Sequence, residues 1–318
     1  VMVGCVERHG LTRLARSSPC RSTHPTMTPD VLFAHWRDTL ETQFDAILPD
    51  PQHAPEGLHG AMRHAVLGGG KRMRPLLVMA AGRLFNADEH RLLPAAMAVE
   101  LIHAYSLIHD DLPAMDDDAM RRGKPTVHIA FDEATAILAG DALQARAFSL
   151  IAEARMPAEI RVACLQTLAH ASGAAGMCGG QALDIAATGR LQSLEALRHM
   201  HALKTGALIR AAVRMGALCG DASQADLLQL DQFAAALGVA FQVRDDILDV
   251  EASSEQLGKT AGKDQAQDKS TFPALLGMQP AKDYLIDLAA QMEQALESYG
   301  DRAALLSALG RLTIERSH

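Results

Sequence analysis

The chain is short of aromatic residues, of paired cysteines and of strand rhythm, and each shortage closes off a class of protein. Aromatics make up 4% of the 318 residues, with one tryptophan, three tyrosines and eight phenylalanines. That is little material for a pocket that folds a hydrocarbon into rings. The five cysteines, Cys5, Cys20, Cys164, Cys178 and Cys219, are odd in number and scattered. No CxxC or His-Cys spacing occurs, so neither a disulfide framework nor a zinc site is indicated, and a reducing cytoplasm fits best. No run of roughly 18 apolar residues is present, which argues against a membrane span. A net charge of −8 argues against a nucleic-acid partner. EF-hand spacing is missing, as is any Ser/His/Asp or Cys/His constellation.

What is abundant is helix-forming sequence. Hydrophobic residues reach 48%, enough for a large core, and Ala, Leu, Met and Gln dominate long stretches with few breakers. Leu32, Phe33, Trp36, Leu40, Phe44 and Leu48 recur at helical spacing and predict an amphipathic helix over 31–48. Further helices are expected at 58–67, from Pro75 to about 85, at 92–111, 131–155, 158–174, 193–219, 223–250 and 281–297. Gly176, Gly179, Gly180 and Gly189 read as punctuation of a connection, and Gly140-Asp141-Ala142 as a helix cap. The expectation is an all-α, single-domain chain. Residues 1–26 carry Arg8, Arg13, Arg16 and Arg21 among Ser, Thr, Pro and Gly, without the apolar stretch of a signal peptide. They read as an extension outside the folded chain, disordered or wrongly joined to it, with the catalytic domain spanning 27–318.

Two acidic clusters stand out, Asp110-Asp111 with Asp116, Asp117 and Asp118, and Asp245-Asp246-Ile247-Leu248-Asp249. Both sit in apolar helical sequence, where neighbouring carboxylates repel and desolvation sharpens the repulsion unless cations neutralise them. At about 100° per residue, Asp245 and Asp249 share a helix face with Asp246 beside them. Asp110 and Asp111 fall near a helix C-terminus, where the dipole opposes them. Hard oxygen ligands without thiols point to Mg²⁺, which keeps waters and shares substrate phosphates. Gly68-Gly69-Gly70-Lys71-Arg72-Met73-Arg74-Pro75 lacks P-loop spacing. Its glycines nevertheless let backbone approach a phosphate that Lys71 and Arg74 could clamp. Arg121-Arg122-Gly123-Lys124 repeats that composition. His103 lies on nearly the face of Asp110, Lys204-Thr205-Gly206 places a cation beside a hydroxyl, and Gln242 precedes Asp246 by one turn. Gln181 and Asp184 stay open between scaffold and site. Residues 251–273, with Lys259, Lys263 and Lys269, read as a lid over an anion.

Assembled, these motifs resemble the trans-polyprenyl diphosphate synthase family, most closely its bacterial farnesyl-forming members. The carriers are GGGKRMRP (68–75), SLIHDDLPAMDDD (106–118), RRGKPTVH (121–128), LAGDAL (138–143), GGQALD (179–184), KTG (204–206), FQVRDDILD (241–249) and GKTAGKD (258–264). The resemblance implies an isoprenoid synthase-type helical bundle around a deep central cavity, usually a homodimer. It implies several Mg²⁺ ions per site, with Mn²⁺ able to substitute, held by Asp110, Asp111, Asp116 and Asp245 and supported by Asp246 and Asp249. Gly70, Lys71, Arg74, His103 and Arg122 would hold isopentenyl diphosphate. Arg121, Lys204, Thr205, Gln242 and Lys259 would hold the allylic diphosphate, dimethylallyl or geranyl. Lys204, Thr205 and Gln242 would also shape the field around the developing cation. Tyr105 and Ser106, about one turn before Asp110, would form the floor that stops growth at the C15 product, (2E,6E)-farnesyl diphosphate. Asp268 departs from the glycine often found at that lid position. A C20, geranylgeranyl-forming enzyme is the alternative. A class I terpene cyclase would show an Asn/Asp-Ser/Thr-Glu triad in place of DDILD, and a non-catalytic paralogue would have lost site residues, none of which is missing.

Overall fold

The computed structural model describes residues 28–251 and 270–316. The chain is all-α. The first helix, α1 (Pro29–Ile47), buries Phe33, Trp36, Leu40 and Phe44, the periodic set read from the sequence. Trp36 Nε1 donates to Glu89 Oε1 at 3.0 Å and ties α1 to the start of α4. Then follow α2 (Glu56–Val66), α3 (Met73–Leu84), α4 (Glu89–Asp110) and, after a two-stranded hairpin, α5 (Val127–Ala130) and α6 (Glu133–Ala152). Beyond them lie α7 (Ala158–Ser172), α8 (Met177–Ala187), α9 (Leu194–His201), α10 (Ala207–Cys219) and α11 (Gln224–Glu251). The last elements are α12 (Phe272–Leu276), α13 (Met278–Leu296), a 3₁₀ segment and α14 (Ala304–Glu315).

Helices α3, α4, α10 and α11 form the centre: α10 packs on α3, α4, α7 and α11, while α4 packs on α3 and α6 and α11 on α13. By length and composition alone α4 is apolar enough to cross a membrane. Since 72% of that window is buried against other helices, it is the core helix of the bundle.

Several local expectations are corrected. Pro75 does not open its helix: α3 begins at Met73 behind Arg72, whose φ of 50° is left-handed. Proline is still tolerated there, since the first turn has no N–H partner to lose. Residues 176–180 are not mere punctuation, because α8 runs through Gly179 and Gly180. A Cβ on Gly180 would collide with the backbone of Lys204, so glycine is what permits α8 to lie against that strand of chain. Gly140 sits inside α6, and the cap is Asp132, which accepts from the Thr135 N–H. The expected helix 193–219 is interrupted by a π-helical turn, Ala202–Gly206. A helix at 304–315 and a hairpin, Met120–Arg121 paired with Lys124–Pro125, were not foreseen. Arg122 and Gly123 turn that hairpin with φ of 52° and 74°, a two-residue turn of the kind that suits strand twist.

Candidate active site

The expected site residues gather where the C-terminal end of α4, the hairpin, the start of α3, the π turn and the C-terminal part of α11 meet. Gly68, Gly70, Lys71, Arg72, Met73, Arg74, Glu100, His103, Arg122 and Phe241 line one cavity of about 360 Å³. Gly70 has a φ of 121°, and a Cβ there would lie 2.6 Å from the Arg122 guanidinium. Arg122 in turn donates to the Gly69 carbonyl at 3.0 Å. The glycine loop is thus bolted to the hairpin, and Gly70 serves by leaving room for an arginine.

Burial weighs on the cations Lys71, Arg74 and Arg122 of this cavity. Burial pulls Arg74 below its ordinary range, with Arg122 adding to the fall and Glu100 and Asp245 opposing it. Its Nε is buried with no hydrogen-bond partner among the described residues. Lys71 is lowered by burial and then by Arg316. His103 is driven well below its ordinary range by burial and by Arg74, Arg122 and Arg121. A pocket that keeps buried N–H donors and excess positive charge is built for an anion.

Arg72 behaves differently. It is 3% exposed and donates to Glu41 Oε1 (2.8 Å), Glu100 Oε1 (2.9 Å) and the Val66 carbonyl (2.6 Å). Its guanidinium also lies 5.1 Å from the Phe44 ring centroid. Three helices, α1, α2 and α4, meet on this one side chain, between the two residues read as clamps. The sequence reading passed over it because its composition is that of any third basic residue.

On the α4 side, Asp110 is pushed up to about 6, chiefly by burial and then by Asp116 and Asp111, with Lys204 and Arg121 opposing. Asp111 is 3% exposed and held bidentately by Arg121, with contacts of 2.6–3.0 Å. An expected metal ligand and an expected phosphate ligand therefore neutralise one another here. Backbone bonds from Asp116 N to Asp110 O (2.8 Å) and from Asp118 N to Asp111 O (3.2 Å) fold the cluster back on itself. Tyr105 is buried, its hydroxyl 3.5 Å from Cys178 Sγ and its ring edge-on to His109. Ser106 Oγ donates to the His103 carbonyl at 2.9 Å.

Opposite, Lys204 Nζ donates to Asp184 Oδ2 at 2.6 Å. Burial would lower this lysine, but Asp184 and then Asp110 and Asp116 outweigh it and hold it above its ordinary value. Asp184, left open by the sequence, is the partner of the site lysine. Thr205 Oγ1 donates to Gln242 Oε1 (3.3 Å), and Gln242 Nε2 donates to Asp246 Oδ1 (3.1 Å). Asp246 also accepts the Phe272 N–H on Oδ2 at 2.9 Å. Gly238 lets α11 approach this closely, since a Cβ there would lie 2.9 Å from Gly206 Cα. Asp249 is buried as well. Asp245 is the accessible member, and Arg316 reaches it at 2.8 Å. Arg316 also donates to the Phe241 carbonyl, lies 4.0 Å over the Phe241 ring and has its own carbonyl held by Arg244. No motif marks a residue so near the end of the chain, and the sequence reading missed it.

Among the described residues no three acidic, His or Cys side chains close into a complete metal site. An open, all-oxygen donor set is nonetheless what Mg²⁺ uses when substrate phosphates and waters finish its shell. Of the expected lid at 251–273, residues 252–269, Lys259 and Asp268 included, lie outside the described residues, as do residues 1–27.

Residues 55–306 match the polyprenyl synthetase family. The chain belongs to that family. It is 53% identical over 256 residues to the Escherichia coli (strain K12) protein named farnesyl diphosphate synthase, covering 79% of this chain and 85% of that one. It is 46% identical to a chloroplastic geranylgeranyl pyrophosphate synthase of Capsicum annuum, over 79% of this chain and 69% of the relative. A Zymomonas mobilis structure described as an FPP/GFPP synthase superposes with a TM-score of 0.82 at 39% identity, covering 90% and 98% of the two chains.

Proposed function

We propose that this polyprenyl synthetase condenses isopentenyl diphosphate with dimethylallyl and then geranyl diphosphate to give farnesyl diphosphate. The observation that carries the reading is the cationic cavity lined by Lys71, Arg74, His103 and Arg122, with Asp245 near enough to act on Arg74 and Lys71. Arg74 Nε, Lys71, His103 and Arg122 bind and orient the diphosphate of isopentenyl diphosphate. Lys204, Thr205 and Gln242 face the allylic partner, and their fixed dipoles meet its developing cation. Asp110, Asp111, Asp116 and Asp245 would hold Mg²⁺, with Asp246 and Asp249 behind them, because their donors are all hard oxygens. When bound, that ion supplies Lewis-acid neutralisation of the departing diphosphate. The allylic C–O bond breaks, the isopentenyl alkene attacks the cation, and the proton lost from the adduct passes to the released diphosphate. Asp184 keeps Lys204 protonated and aimed, and Arg121 must exchange Asp111 for phosphate.

The C15 end point rests on Tyr105, whose buried ring is braced by Cys178 and His109. The pepper relative makes C20 the second reading. Incubation with isopentenyl and geranyl diphosphate plus Mg²⁺, with products weighed by mass spectrometry, separates these from a cyclase or a silent binder. Tyr105→Ala is expected to lengthen the product, and an unchanged C15 profile would refute the floor role. We also propose a homodimer through α5 and α6, where Ile129, Ile137 and Leu138 are 54%, 45% and 57% exposed. The same reading places the catalytic unit at 27–318, with 1–26 outside it, and the enzyme in the cytoplasm, consistent with free thiols at Cys164, Cys178 and Cys219.

A further inference from the structure

A second and larger hollow, about 620 Å³, lies behind the π turn between α7, α9, α10 and α11. It shares no lining residue with the Lys71–Arg74 cavity. Small side chains make its floor, Ala202, Ala207 and Ala211 among them, and cationic groups make its rim. Arg210 and Arg214 stand one turn apart on α10, and both approach a single oxygen, Asp231 Oδ2, at 3.7 and 3.1 Å. Two guanidiniums offer ten N–H donors between them, so one carboxylate oxygen leaves most of that capacity unused. The Arg210 side chain is 52% exposed. His170 and His199 complete the rim from α7 and α9.

Planar, forked donors beside imidazoles over an apolar floor match a phosphate-bearing ligand with a hydrocarbon body. The placement gives such a ligand a lever. Ala202 and Leu203 line the hollow, while Lys204 and Thr205, next in the same five-residue π turn, engage Asp184 and Gln242 on the catalytic side. π turns are irregular helix and are frequent at functional sites.

We infer that this hollow is a second binding site, for a diphosphate-headed small molecule, and that its occupancy is relayed to Lys204 through the π turn. The test is calorimetric titration of inorganic pyrophosphate into the full chain in a chelator, comparing the parent protein with Arg210→Gln/Arg214→Gln. The expected result is the loss of one binding equivalent per chain in the variant, with its circular dichroism unchanged. Thr167→Trp, which keeps both arginines and fills the hollow from α7, should lose the same equivalent, and it decides the matter if the double variant fails to fold. Equal stoichiometry in parent and variants overturns the site.

For the relay, pyrophosphate inhibition against geranyl diphosphate should give a parabolic slope replot in the parent and a linear one in the variants. Linear replots throughout overturn the relay. Repeating the titration with farnesyl diphosphate identifies the source. Tighter binding than pyrophosphate assigns the alanine floor to a prenyl chain, equal binding assigns free pyrophosphate, and both support the site. If the parent protein makes no prenyl product at all, the proposed function fails while calorimetry still judges the hollow.

Discussion

The two acidic helices solve the same electrostatic problem in opposite ways. On α4, the buried charges are answered by other charges: Glu100 by Arg72, Asp111 by Arg121, Asp110 by Lys204 at longer range. On α11, Asp246 accepts from neutral donors, the Gln242 amide and the Phe272 N–H, while Asp245 meets a cation, Arg316. Charge pairing leaves Asp110 incompletely satisfied and easily protonated, whereas hydrogen bonding holds Asp246 fast. The α4 side is therefore the part most altered by an incoming cation, and the α11 side the pre-built wall it comes to.

Four measurements would break or sharpen that contrast. The largest effect is expected from Arg72→Met, which strands Glu100 in the core without its partner. Losing one member of a buried pair costs about 3–5 kcal/mol, to be read from urea midpoints at constant slope. A loss below 1 kcal/mol would mean that Glu100 finds another partner. Next, Asp110→Asn should lower kcat by about 10²- to 10³-fold while leaving the fold intact. A mutant that keeps near-normal turnover would remove Asp110 from the site.

Third, Asp246→Ala frees the Phe272 N–H and the Gln242 amide. It should cost about 1–3 kcal/mol in denaturation and loosen Thr205, with a smaller fall in kcat than Asp110→Asn. The reverse order would contradict the contrast. The smallest effect concerns pH. Because the folded Asp110 carboxyl sits near 6, above its unfolded value of about 3.9, the native state binds that proton more tightly. Its contribution to stability is complete below the unfolded value and is lost as pH rises through about 6. In chelator, the melting temperature should drift down between pH 5 and 7, and Asp110→Asn should flatten the drift. An unaltered slope in the mutant would show that another group is responsible.

Legibility in the sequence followed chemistry that is local. The carboxylate clusters, the GGGKRMRP loop and Lys204-Thr205 were visible because spacing along one helix or one turn fixes which side chains share a face. Asp184 and Gln181 were visible but mute, since their meaning depends on what α8 touches, and Gly180 on that helix sets its contact with the Lys204 backbone. Arg72 was hidden among better-placed basic neighbours. Arg316 was invisible, because nothing near it in the chain hints that it folds back onto Asp245.

By itself, the amino-acid order settled that the protein is helical, that it belongs with the polyprenyl synthetases, and which polar residues are available to a diphosphate. Hydrophobic periodicity and short-range charge spacing are written along the chain. The division of labour among those residues was decided only by packing. Among the described residues Arg74 keeps an unmet donor while Arg72 has three acceptors, and Asp245 is accessible while Asp246 is clamped. Burial and partner geometry set the free energy of a charge, and both come from segments far apart in sequence.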